Sequence, residues 1–223
     1  MDKPLIISTK ILGDDMKDRI IQNGLSYLEY DAIVIDHKKF SVPGPTEFVI
    51  FSSQNAVKRV VKKINWLNKA NVLCVGKKSE TMLLKNGIKT LKMTKNMSKM
   101  VDFVQKLSEN ASFLHFCGNK RIPLLAQKMA HWGRVFREII VYETKLKKVK
   151  INVKADGILF FSPSGVKSHE DKNDISFSTC FCIGSTTAKA FTQKPKRIVA
   201  IDDPSVKNLV FKAIRHIKKN KYA

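Results

Sequence analysis

Apolar and polar positions fall into two alternating patterns along the chain. Short, nearly continuous apolar runs occur near 5-8, 48-52, 72-75, 113-117, 157-161, 181-183 and 198-201, as expected of parallel strands covered on both faces. Between them, near 14-23, 55-68, 78-86, 98-107, 122-131, 186-193 and 205-218, apolar residues recur at helical spacing. The βαβα order predicts an α/β protein with doubly wound parallel sheets.

The pattern repeats at about half the chain length. Phe48-Val49-Ile50-Phe51-Ser52-Ser53 returns as Ile158-Leu159-Phe160-Phe161-Ser162-Pro163, with Phe51 and Phe161 separated by 110 positions. Val72-Leu73-Cys74-Val75-Gly76 returns as Phe181-Cys182-Ile183-Gly184, and Gly24 is echoed by Gly133. Solenoid repeats are far shorter, so this period marks a duplicated α/β domain. Segments 26-37 and 135-146 are long for strands; twelve residues at ~3.3 Å each span ~40 Å, more than one small sheet needs. Each is therefore expected to leave one domain and enter the other. The resulting partition has a discontinuous domain of 1-36 plus 146-223 and an inserted domain of 41-136. A two-stranded β linker, about 26-40 and 135-146, joins them as a double hinge. A cut near 109 into sequential halves fits the repeat equally well.

With 223 residues, 43% of them apolar, the chain is long enough for two domains with cores of their own. It has no run of 18 apolar residues, and its start, Met1-Asp2-Lys3-Pro4, lacks a signal-peptide layout. A soluble cytoplasmic protein, away from membranes, is expected. The cysteines at 74, 117, 180 and 182 have no C-x-x-C spacing and read as reduced, packed thiols. Forty-one Lys and Arg against 19 Asp and Glu give a formal net charge of +22, a field that attracts polyanions. The lysines are scattered and no RNA-binding or zinc-finger signature accompanies them, so a solubilising basic surface is as good a reading as a specific partner.

Ligands of parallel sheets bind beyond the C-terminal strand ends. Here those turns read Ser52-Ser53-Gln54-Asn55, Gly76-Lys77-Lys78-Ser79, Gly118-Asn119-Lys120-Arg121, Ser162-Pro163-Ser164-Gly165 and Gly184-Ser185-Thr186-Thr187. Small side chains admit ligand atoms to backbone N–H groups, and hydroxyls favour anionic oxygens; plain N-capping explains any single turn as well. Five such turns point together to a cleft for a polyanion. The histidines at 37, 115, 131, 169 and 216 show no metal-ligand spacing, and His115 inside an apolar strand reads as a core residue. There is no nucleophile elbow, P-loop or dinucleotide fingerprint.

Six segments in order, F-S-S-Q-N-A-V (51-57), V-G-K-K-S (75-79), H-F-C-G-N-K-R (115-121), I-V-Y-E-T (140-144), F-F-S-P-S-G-V (160-166) and I-G-S-T-T-A (183-188), resemble those of uroporphyrinogen-III synthases. The resemblance covers nearly the whole chain. It implies two α/β domains on a two-stranded linker and a lyase that takes hydroxymethylbilane, expels its hydroxyl as water, inverts ring D and closes the macrocycle. No cofactor or metal is implied. The substrate's eight carboxylates give the basic charge a purpose. Loss of hydroxide leaves an azafulvene cation, ring D attacks through its substituted position, and the spiro intermediate fragments and recloses. The enzyme's main task is then positioning.

By the same resemblance Tyr142 is the candidate acid for the departing hydroxyl, against the plainer reading of a tyrosine half-packed on a linker strand. Lys10, Ser52, Ser53, Ser79, Gly118, Asn119, Ser162, Ser164, Gly165, Thr186 and Thr187 are candidate substrate-binding residues. Three positions depart from the family pattern: Ser185 for Pro, Ser79 for Thr, and Ser8-Thr9-Lys10 for T-R-P. Lys10 would act there as a point charge, without an arginine's bidentate grip. Segment 167-176 is polar and a poor helix pattern, so it is expected to be mobile. A monomer is expected, with transient contact to hydroxymethylbilane synthase, which makes the unstable substrate. A basic nucleic-acid-binding α/β protein, a two-lobed anion-binding protein without catalysis, and an inactive family member remain open at this point.

Overall fold

The computed structural model describes residues 3–221. In chain order its elements are β1 (Leu5–Ser8), α1 (Asp14–Gln22), β2 (Ser26–Glu29), β3 (Ile33–His37), β4 (Phe48–Phe51), α2 (Gln54–Val60), β5 (Asn71–Val75), α3 (Lys77–Lys85), β6 (Lys92–Thr94), α4 (Met97–Val104), β7 (Ser112–Gly118), α5 (Leu124–His131) and β8 (Val135–Leu146). The chain continues through β9 (Gly157–Phe160), α6 (Pro163–Glu170), β10 (Thr179–Cys182), α7 (Ser185–Ala188), β11 (Arg197–Ala200) and α8 (Val206–Lys221). It forms two compact units: the chain up to Val34 together with that from Lys145 onward, and Ile35–Thr144.

The first unit holds a five-stranded sheet, order β11-β10-β9-β1-β2, with every pair parallel. Alternate strand residues serve opposite faces. Ile6, Leu159 and Phe181 pack under α1 and α8, while Ile7, Ile158, Phe160, Cys180 and Cys182 pack with Val166 and Ile175. Because both faces are covered, β9 and β10 are buried at every position, and each fully buried large side chain contributes roughly 1.5–3 kcal/mol. β2 runs on from β1 on one side of it, while the later strands add on the other. The order reverses between β1 and β9, which is where such sheets open a crevice.

The second unit holds a six-stranded sheet, order β3-β8-β7-β4-β5-β6. Val49, Phe51, Val72, Cys74, Leu114 and Phe116 face α2 and α3; Phe48, Ile50, Leu73 and Phe113 face α4 and α5. From β4 the chain builds outward through β5 and β6, then returns to β4's other side for β7 and β8. The switch point lies between β4 and β7.

Several local expectations need correction. Segment 26-37 is two strands, because Tyr30 and Ala32 donate their N–H groups to Ser8 and Thr9 of the first unit before β3 joins the other sheet. The helix expected over 55-68 stops at Val60, and a 3-10 turn at Asn65–Lys69 follows. The helix expected over 186-193 ends at Ala188, because Thr192 and Gln193 leave helical geometry to donate backbone N–H groups to the Glu170 carboxylate. β6 is short and polar and gave no apolar run to read.

Segment 167-176 is not loose. α6 continues to Glu170, and Ser168, His169, Glu170 and Asn173 are buried. Asn173 accepts from the Ile151 N–H and donates to the carbonyls of Val149 and His169. Polar residues gave no helical stripe because they bind backbone instead of packing.

His169 is 2% exposed, with its Nδ1 2.7 Å from the Tyr30 hydroxyl; burial lowers its pKa to about 4. A depressed histidine contributes stability that is complete above its unfolded pKa near 6.5 and is lost as pH falls toward 4, where only the unfolded chain is protonated. We expect on the order of 3 kcal/mol of stability to disappear between pH 7 and pH 4 from this group. Urea unfolding followed by amide exchange in β9 and β10 measures it, and His169→Gln should flatten the dependence.

Candidate active site

At the switch point of the second unit, the turns after β4 and β7 converge on a cavity of about 370 Å³. Its lining includes Ser52, Ser53, Lys95, Gly118, Arg121 and Tyr142. Ser53 caps α2 by accepting from the Asn55 N–H at 3.1 Å, and Asn96, also on the wall, caps α4 through the Lys99 N–H at 3.0 Å. The cationic side chains Lys95 and Lys120 suit an anionic ligand, while Arg121 is paired with Glu138.

Tyr142 enters from β8, where a register shift between Cys117 and Gly118 sets Gly118 opposite it. Its ring lies over Gly118 so closely that a Cβ there would sit 2.7 Å from the phenol oxygen and nearer still to the ring. Asn119 fixes the backbone on either side: its N–H donates to the Tyr142 carbonyl, and its Oδ1 accepts from the Thr144 N–H at 2.9 Å. Burial pushes the Tyr142 phenol up, partly offset by the Ser53 hydroxyl. The phenol is therefore protonated at neutral pH and available as a donor.

Beside it runs a chain of part-buried hydrogen bonds centred on the buried His115 ring. Ser52 Oγ lies 2.8 Å from His115 Nε2, His115 Nδ1 lies 2.8 Å from Glu138 Oε1, and Arg121 Nε donates to Glu138 Oε2 at 2.7 Å. His115 and Glu138 are directly paired on β7 and β8. Burial alone would raise the Glu138 pKa, but the hydrogen bonds from His115 and Arg121 and the Arg121 charge outweigh it and hold the carboxyl at about 2. His115 is a core residue, as its strand position suggested, yet both ring nitrogens are engaged.

Among the described residues, His115, Cys117 and Glu138 also bring potential metal-ligating atoms within 4.8 Å of one another. The chemistry disfavours a cation there. Burial pushes the Cys117 thiol up to about 12, and Arg121 already occupies the Glu138 carboxylate. The other cysteines are likewise free and buried.

The remaining sequence candidates are distributed. Ser79 is buried on α3 and is absent from the cavity wall. In the first unit, the turns after β1 and β9 meet: Ser162 caps α6 by accepting from the Gly165 N–H, and a Cβ on Gly165 would lie 3.4 Å from Ser162 Oγ and 3.5 Å from Thr9 Oγ1. Ser164 is half-buried, Lys10 and Thr186 are exposed, and Thr187 is buried. Lys95, Asn96, Lys120 and Arg121 were not selected from the sequence, although 118-121 was read as a ligand turn. Lys95 and Asn96 follow β6, whose weak apolar signal concealed a strand end.

A family profile described as uroporphyrinogen-III synthase HemD matches residues 15–210. The chain belongs to the uroporphyrinogen-III synthase family. Its fold is similar to that of the uroporphyrinogen-III synthetase from Helicobacter pylori 26695, at 17% identity and TM-score 0.68, covering 96% of this chain and 99% of that one. A mutant uroporphyrinogen III synthase from the extremely thermophilic bacterium Thermus thermophilus is similar at 13% identity and TM-score 0.71, covering 97% and 99%. No curated protein matches in sequence. A uroporphyrinogen-III synthase is a cyclising lyase of tetrapyrrole biosynthesis, and that is the function of this chain. No helix among the described residues is long and apolar enough to cross a membrane.

The Gly118 contact generates a test. Gly118→Ala should displace the Tyr142 ring and destabilise the protein by about 1–3 kcal/mol, the usual cost of overpacking. Chemical denaturation measures the loss, and tyrosine fluorescence reports the displaced ring; an unchanged midpoint with unchanged activity would contradict the close approach.

Proposed function

We propose that the chain converts hydroxymethylbilane to uroporphyrinogen III, with Tyr142 donating a proton to the departing hydroxyl. The observation carrying this reading is a protonated, half-buried phenol in a cavity whose wall also bears Lys95, Lys120 and Arg121. Cations take up substrate carboxylates, while the phenol lies where a proton can be handed to a leaving oxygen. With the hydroxyl gone as water, the azafulvene cation is attacked by ring D at its substituted carbon, and the bond so formed makes the spiro centre. The spiro centre fragments by breaking its bond to the methylene bridge from ring C, and ring D recloses onto that methylene through its other α-carbon, which loses its proton, so proton uptake and release balance.

Holding the chain ends in that arrangement is a matter of orientation, which by itself can lower a barrier by several kcal/mol. Thr9, Ser162 and Gly165 of the first unit form a second group of small residues at a switch point, suited to carboxylates or to backbone approach. Lys10, Ser164, Thr186 and Thr187 extend this proposed binding set. The protein is proposed to work as a cytoplasmic monomer, drawing its unstable substrate through transient contact with hydroxymethylbilane synthase.

Incubation with freshly prepared hydroxymethylbilane, followed by separation of the type I and type III isomers, should show type III as the main product. Type I alone, at the uncatalysed rate, overturns the proposal. Tyr142→Phe should lower kcat by roughly ten- to a thousandfold, since an assisting acid is typically worth 10²–10⁴ and water replaces part of it. A variant that is fully active, or one that has lost cooperative unfolding, removes Tyr142 as the acid.

A further inference from the structure

The Ser52–His115–Glu138–Arg121 chain fixes the direction of its hydrogen bonds. Glu138 is clamped by Arg121 at 2.7 Å and is an acceptor only, so His115 Nδ1 must carry the proton that it shares with Oε1. The one negative charge of Glu138 is balanced by Arg121, and a second cation on the fully buried ring would leave uncompensated charge in the interior. The ring is then the Nδ1–H tautomer. Its bare Nε2, 2.8 Å from Ser52 Oγ, accepts the Ser52 proton, and the lone pairs of that hydroxyl are left for the cavity that Ser52 lines.

Of the other polar side chains of the wall, the Tyr142 phenol serves as a donor, and the rest are committed differently. Lys95, Lys120 and Arg121 can only donate. Ser53 Oγ and Asn96 Oδ1 already accept from the backbone N–H groups of Asn55 and Lys99. A ligand with carboxylates alone would need nothing from Ser52. A pyrrole also carries an N–H, which costs desolvation energy if it is buried without an acceptor.

We propose that Ser52, locked as a hydrogen-bond acceptor by the His115–Glu138–Arg121 chain, binds a pyrrole N–H of the substrate, and that His115 acts as its positioning residue. The assignment rests on the tetrapyrrole substrate proposed above, and it deepens that reading by separating the group that recognises the ring from those that recognise its carboxylates.

Two measurements decide it without turnover. Nitrogen-15 NMR of histidine-labelled protein, with the His115 signals assigned by their loss in His115→Gln, should show Nδ1 protonated and Nε2 bare; a protonated Nε2 overturns the proposal. Binding of a monopyrrole bearing acetate and propionate side chains should exceed that of its N-methyl derivative by about three- to tenfold, the worth of one neutral hydrogen bond. Ser52→Ala should abolish this preference and Ser52→Thr, which keeps the hydroxyl, should retain it; equal preference in the wild type and Ser52→Ala overturns the assignment. In turnover, Ser52→Ala should raise KM for hydroxymethylbilane by a similar factor with a smaller change in kcat. If the wild type makes no type III isomer, the substrate reading fails; if it does and the KM of Ser52→Ala is unchanged, only the role of Ser52 fails.

Discussion

The structure depends on one constraint: parallel strands whose backbones are paired laterally and whose side chains are covered on both faces. In β4, β9 and β10 every residue is buried, which leaves the strand no outlet for polar chemistry along its length. Polar groups therefore collect beyond the C-terminal strand ends, in the turns that enter the helices. Both units have a switch point, between β1 and β9 in one and between β4 and β7 in the other, and small or hydroxylated residues meet at each.

In β7, buried from Phe113 to Gly118, the second unit places a polar ring among the covered positions. His115 occupies the strand face that Phe113 and Ile50 fill with hydrocarbon, and it is itself fully buried. Such a placement is tolerable because every hydrogen-bonding atom of the ring has a partner and the carboxylate beyond it has a cation. No buried side-chain polar atom among the described residues lacks a partner. The first unit solves a similar problem with the backbone, since Glu170 and Asn173 satisfy N–H and C=O groups of neighbouring segments. A polar pattern in the sequence thus corresponds to order in one unit and to a directed hydrogen-bond chain in the other.

The working surface of the cavity has three chemical parts. The wall carries cationic side chains, a phenol kept protonated by burial, and Ser52 in hydrogen-bond contact with the His115 ring. None needs a strongly shifted nucleophile or base. The strand ends are tied down at Gly118 and Asn119, and a reaction governed by which ring carbon attacks depends on placement.

The alternation of apolar runs with helical periods, the half-length repeat and the turn residues 52–53, 118–119 and 162–165 were legible in the sequence, because strand burial and helix amphipathicity are local patterns. The break at Tyr30–Ala32, the early end of α7 and the order within 167-176 were not, because each is set by a backbone or carboxylate partner far along the chain. The same reason hid the site's polar chain: Ser52, His115, Arg121 and Glu138 are separated by up to 86 positions and meet only because β4, β7 and β8 lie side by side. Sequence by itself determined the layers, the charge and the family; tertiary structure alone decided which hydroxyl faces which ring nitrogen, since hydrogen-bond direction depends on partners that pairing of non-adjacent strands brings within about 3 Å.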